Sequence, residues 1–223
     1  TVRPNLDRYV RLEIFKSLAE DYECIGNFSK AKKEAESILK IDKQNKWAVN
    51  FLLKMSEMIE DWDSATEKFI QLQKINNNQN FNQLTKYLVY KGRDEIKNGD
   101  LNNAELLFNK AIKKTPEYGL PYKYLGDLKM INRDLISAIK LWEKFIELSP
   151  EKAHLVFDDM EAALFDLGRY SEVEKFYRRI IDVNKNDLEA GIKLANVLNE
   201  KGEENSAIEL IDRLINSGND KIS

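Results

Sequence analysis

The chain has 223 residues, enough for one or two conventional domains or one elongated array, and its 43% hydrophobic content can furnish a core. A charged content of 33%, with only nine glycines and four prolines, favours helices over sheets. A formal net charge of −3 supplies no field to gather nucleic acid or an anionic membrane. One cysteine excludes an internal disulfide and a paired-cysteine metal knuckle, and no apolar run reaches the length of a membrane span or a signal core.

In chain order, the first apolar stripe is Phe15, Leu18, Ala19 and Tyr22, whose spacing is that of an amphipathic helix. It is followed by "GNFSKA" (26–31), in which the glycine supplies a tight turn and Ala31 a small residue near the start of a second helix. The word returns as "EDWDSA", "GDLNNA", "NRDLISA", "GRYSEV" and "GEENSA", with the small residue at Ala65, Ala104, Ala138, Val173 and Ala207. The intervals are 34, 39, 34, 35 and 34 residues. Upstream of each lies another helical stripe, for example Tyr122, Leu125 and Gly126, or Phe157, Met160 and Leu164. The longest interval contains "INNNQNFNQ" (75–83), which reads as a polar loop, either a simple insertion or a contact loop.

A helix–turn–helix period of 34 residues resembles the tetratricopeptide repeat (TPR). "YKYLGDLKMINRDLISAIKLWEKFIELSP" (122–150) is the best copy, and "GDLNNAELLFNKAIKKTP" (99–116) a second. The expected fold is all-α, an α-α superhelix of about six repeats in one array over 1–223. Approximate repeat boundaries are 10–45, 46–79, 82–117, 118–151, 152–186 and 187–217. The small residue would sit where the two helices of a unit cross, since a larger one would push them apart. Single pairs cannot bury their apolar faces alone, so neighbours must stack.

The order of words is also similar to the LapB (YciM) type of bacterial TPR protein. Arg11, Leu12, Leu18, Asp21, Tyr22 and Gly26 match its opening stretch, and Asp61 and Trp62 its acidic-Trp turn. That resemblance implies a membrane-tethered, cytoplasmic-facing scaffold that regulates envelope lipid synthesis by presenting partners to a protease. The type also carries a rubredoxin-like four-cysteine module and an N-terminal membrane helix; here Cys24 is the only cysteine and no such helix is present. The chain opens at Thr1 rather than Met, which leaves room for an upstream anchor. The expected place is the cytoplasm, or the cytoplasmic face of the inner membrane if an anchor exists.

Catalytic constellations are lacking. His154 reads as a helix-start residue of the fifth unit, Cys24 as a small filler on the first helix, and Trp62 and Trp142 as core. Asp158, Asp159 and Glu161 form an acidic patch, a metal site needing convergent ligands from elsewhere. Phosphate-loop, HExxH and GxSxG motifs do not occur. The expectation is a non-catalytic protein without metal or cofactor.

The TPR resemblance implies that first helices line a ligand groove. It assigns Trp47, Lys54, Lys86, Val89, Tyr90, Arg93 and Lys97 to its middle, followed by Lys123, Tyr124, Asp127, Asp158 and Phe165. Aromatics beside Lys and Arg are hot-spot residue types, so the middle section is expected to hold an acidic partner segment. The competing reading is a row of solvated helix-face charges. The carboxylate clamp of chaperone-binding TPRs is disfavoured, because Lys123 is followed four residues on by Asp127 where an Asn belongs. A helical-repeat nucleic-acid binder is a further alternative, opposed by the net charge. The last helix carries Ile208, Leu210, Ile211, Leu214 and Ile215, a stripe wider than one neighbour needs. Further sequence, a second copy of the chain or a partner is expected to cover it.

Overall fold

The computed structural model describes residues 6–78, 82–185 and 187–219. Among them are twelve α-helices and no strand, in six consecutive pairs. The pairs are α1 (Arg8–Cys24) with α2 (Phe28–Ile41), α3 (Lys46–Met58) with α4 (Trp62–Ile75), and α5 (Asn82–Lys97) with α6 (Leu101–Lys114). They continue with α7 (Leu120–Ile131) and α8 (Leu135–Leu148), α9 (Phe157–Asp166) and α10 (Tyr170–Val183), and α11 (Leu188–Glu200) and α12 (Glu204–Asn219). The all-α fold of about six helix–turn–helix repeats is therefore the one the period predicts. No helix among the described residues is long and apolar enough to cross a membrane.

Every turn between the helices of a pair is built alike. The residue five before the small residue takes a left-handed conformation: Gly26, Glu60, Gly99, Arg133, Gly168 and Gly202 have φ of 72°, 57°, 83°, 61°, 70° and 80°. The next residue's N–H reaches back across the turn to a first-helix carbonyl, as from Asn27 to Tyr22 (2.8 Å) and from Asp134 to Lys129 (2.9 Å), a Schellman closure. In four of the six turns that same residue caps the second helix: Asn27, Asp61, Asp100 and Asp134 each accept an N–H three residues on. Helix stop, turn and helix start thus occupy two adjacent residues. Glycine tolerates the left-handed state; Glu60 and Arg133 adopt it at a cost.

The small residues at the crossings are buried, Ala31, Ala65, Ala104, Ala138 and Val173 at 0% exposure and Ala207 at 8%. Four residues after each, the second helix projects a side chain towards the first-helix position twelve before the small residue. The sizes at these two positions are matched. Phe108 meets Gly92 and Trp142 meets Gly126, whereas in the first pair Ala35 and Ala19 are both buried in one cluster. A methyl added at Gly126 would lie 2.5 Å from the Trp142 Nε1.

The helices form two compact units, Thr1–Lys91 and Gly92–Ser223, so the division lies within α5. In the first, Ala19, Ala31, Ala35, Phe51, Leu52 and Met55 form one cluster, and Leu53, Ala65, Leu84 and Tyr87 another. In the second, one cluster runs from Ala138 to Leu214 through Trp142, Phe157, Phe176 and Leu194.

Three expectations need correction. His154 does not open the first helix of the fifth unit: it is exposed, in a 3-10 helix at Pro150–Val156, and α9 starts only at Phe157. Pro150 lacks the N–H that would continue a regular helix, and the extra residue of the 35-residue interval falls here. Cys24 is exposed at the end of α1 and fills nothing. Trp142 is core at 0% exposure, but Trp62 is only half-buried. Of the polar loop at 75–83, residues 79–81 lie outside the described residues.

Candidate binding surface

In Thr1–Lys91 the first-helix face is largely occupied by its own neighbours. Trp47 is half-buried, stacked on Phe51 with centroids 4.9 Å apart, and the Lys16 ammonium lies 5.6 Å from its ring. Lys54 is ion-paired to Glu23 across α1 and α3. Tyr90 packs against Trp62 at 4.8 Å, while Lys86 is exposed and forms no ion pair among the described residues. Val89 is 0% exposed, so it belongs to the packed face of α5 and not to a groove lining. Its neighbour Tyr87 donates its hydroxyl to Glu57; burial, then that carboxylate, push the phenol well above its ordinary value.

In Gly92–Ser223 four of the expected residues do come together. The exposed Arg93 guanidinium lies 5.2 Å from the Tyr124 ring, and Lys123 lies 5.0 Å from the same ring. Tyr124 stacks in turn on Phe108 at 5.9 Å. Lys123 also donates to Asp127 at 2.6 Å, and the Trp142 indole N–H donates to the other Asp127 oxygen at 3.1 Å. Burial pushes the Asp127 carboxyl above its ordinary value, with Lys123 and Trp142 opposing the shift and Asp159 adding to it. No carboxylate among the described residues pairs with Arg93. Lys97 is held by Asp94 at 2.8 Å, one turn away.

Asp158 and Phe165 lie apart from that cluster. Asp158 is exposed and takes the Lys193 ammonium, which also approaches Glu161 at 3.7 Å. Glu161 accepts the Tyr177 hydroxyl at 2.8 Å, and burial, then this carboxylate, push that phenol well above its ordinary value. Phe165 rests against Tyr170, with centroids 5.6 Å apart. Among the described residues no group of three or more His, Cys, Asp or Glu side chains is placed to hold a metal. On α12, Ile208 and Ile215 are 59% and 56% exposed.

Paired helices joined by one repeated turn, with small residues at every crossing, define a helical-repeat protein. A family model described as tetratricopeptide repeat matches residues 9–217, and the chain belongs to that family. The closer likeness to LapB-type arrays rests on the sequence words alone. Among solved structures, the chain is similar to MamA at 15% identity, covering 95% of this chain and 94% of that one, with a TM-score of 0.42. PilF of Pseudomonas aeruginosa is 16% identical over 91% and 90% of the two chains, with a TM-score of 0.49. A tetratricopeptide repeat protein from Parabacteroides merdae is 15% identical over 92% and 79%, also at 0.49. These likenesses go no further than the fold. Proteins of the TPR family are in general non-catalytic scaffolds for protein partners.

Proposed function

We propose that the chain is a non-catalytic scaffold whose first-helix face in Gly92–Ser223 binds an acidic segment of a protein partner. The observation that carries this reading is the Arg93 guanidinium, exposed over Tyr124 and paired with no carboxylate among the described residues. A cation already resting on an aromatic face costs little further ordering when an acidic side chain arrives, and the ring adds contact area. Lys123, 5.0 Å from the same ring, extends the positive field, whereas Lys97, one helical turn from Arg93, is held by Asp94. Asp127 limits it, since its carboxylate holds Lys123. The charges set register and partner choice, and the aromatic supplies the affinity.

The test is affinity capture from lysate of the source cell, run beside Arg93→Glu/Lys97→Glu with folding matched by circular dichroism. A protein retained by the native chain, lost by the variant and released by salt supports the reading. Equal retention by both, or no specific protein, refutes it. Trp47, Lys54, Lys86 and Tyr90 are tested separately by Lys86→Glu, because Lys54 and Trp47 already have intramolecular partners.

A further inference from the structure

One of the two cations beside the Tyr124 ring is held by a carboxylate of the protein itself. Lys123 donates to one Asp127 oxygen at 2.6 Å, and the Trp142 indole N–H donates to the other at 3.1 Å. The Lys123 and Asp127 side chains are 17% and 23% exposed, so the pair is sheltered but still within reach of solvent. Asp127 stands eleven residues before its unit's small residue, the position that carries the cations Lys54 and Arg93 in the second and third units. The repeat itself therefore does not require a carboxylate there.

The influences on Asp127 oppose one another. Burial, the largest, favours the neutral acid; Lys123 and then the Trp142 N–H favour the carboxylate; the exposed Asp159 of α9 favours the acid again. From α5, Arg93 reaches the same Tyr124 ring at 5.2 Å, and from α6 the uncharged Phe108 lies against it. A negative group arriving at Arg93 and Lys123 would stand beside Asp127 with like charge, as Asp159 does. It would also draw away Lys123, the cation that keeps Asp127 ionised. Both effects favour the neutral acid.

We infer that Asp127 competes with the bound segment for Lys123, so that an acidic partner binds with uptake of one solvent proton at the Asp127 carboxyl and is held more tightly as the medium turns acidic. The Trp142 N–H keeps an acceptor in either state, because a protonated carboxyl still offers its carbonyl oxygen. Lys123, once released, becomes the second cation beside Tyr124. Affinity is full where the free carboxyl is already protonated, and it is lost as pH rises through the higher value of the bound state. This device rests on the assignment of Arg93 and Tyr124 to the binding face and adds the regulation of that face.

The probe is a rhodamine-labelled hexapeptide of cysteic acid, whose sulfonates stay ionised throughout. It is titrated into the full chain by fluorescence anisotropy between about pH 5 and about pH 7.5, with folding matched by circular dichroism. The parent's affinity should rise at least about threefold on acidification. Asp127→Asn should bind at least about threefold more tightly than the parent at the upper pH and gain nothing further from acid. His154→Gln, which removes the only histidine, should keep the parent's rise. Three results overturn the inference while leaving the binding face intact, provided that Arg93→Glu weakens the probe: a parent affinity independent of pH, a rise that persists in Asp127→Asn, or a rise lost in His154→Gln. Binding that Arg93→Glu leaves unchanged, or no binding at all, overturns the binding face and the inference with it.

Discussion

Replacing Gly126 by alanine separates two opposing effects. In an isolated helix the change stabilises by about 1 kcal/mol, because alanine is the better helix former. Here the new Cβ would stand 2.5 Å from Trp142 Nε1 and 2.6 Å from Cδ1, inside contact distance. Trp142 is 0% exposed and its indole donates to Asp127, so the ring has nowhere to move without losing packing or that hydrogen bond. Overpacking costs about 2 kcal/mol and a weakened bond to a carboxylate about 1 kcal/mol. Subtracting the propensity gain leaves a net loss of about 2 kcal/mol, or a fall in melting temperature of about 4–8 °C for a chain of this size. Urea unfolding followed by circular dichroism and tryptophan emission measures it, Trp142 being the sole tryptophan of Gly92–Ser223. In a Trp142→Leu background the same substitution should turn neutral or stabilising. A Gly126→Ala protein as stable as the parent, or an equal cost in both backgrounds, would refute the size-matching argument.

Gly99→Ala at φ 83° should destabilise by about 1–2 kcal/mol, and Arg133→Gly at φ 61° should stabilise by up to about 1 kcal/mol; thermal melts of the two give the sign. Asp127→Ala strands the buried Trp142 N–H and should cost about 1–3 kcal/mol, whereas Asp127→Asn keeps an acceptor and should cost less. The folded value of Asp127 lies above the ordinary 3.8, so its stabilisation is complete below 3.8 and is lost as pH rises through the folded value. Asp127→Asn should therefore gain on the parent between pH 3.8 and neutrality; a pH-independent difference in urea midpoint would contradict this. Glu174 has the opposite sign: Lys201, then Arg178, hold its carboxyl below the ordinary 4.5, so its contribution is present above 4.5 and lost as pH falls through the folded value. Lys201→Met should shrink that acid loss, as followed by unfolding midpoints against pH.

The fold was legible because its determinants are local and repeated. A left-handed turn residue, a cap and a small residue in fixed order recur along the chain, and glycine or Asn-Arg marked most of the turns. Glu60 was not marked, since a non-glycine residue in that conformation leaves no compositional trace; only its place five before Ala65 would have given it away. The 3-10 helix before α9 had a trace, Pro150 together with a 35-residue interval, but its extent depends on packing that no local word encodes.

The candidate surface was less legible, because periodicity says which helix face a residue occupies and not which neighbour claims it. Lys54 and Arg93 both lie eleven residues before their unit's small residue, yet Lys54 is neutralised by Glu23 and Arg93 rests on Tyr124. The difference is made by the preceding or following first helix, which supplies a carboxylate in one case and a ring in the other.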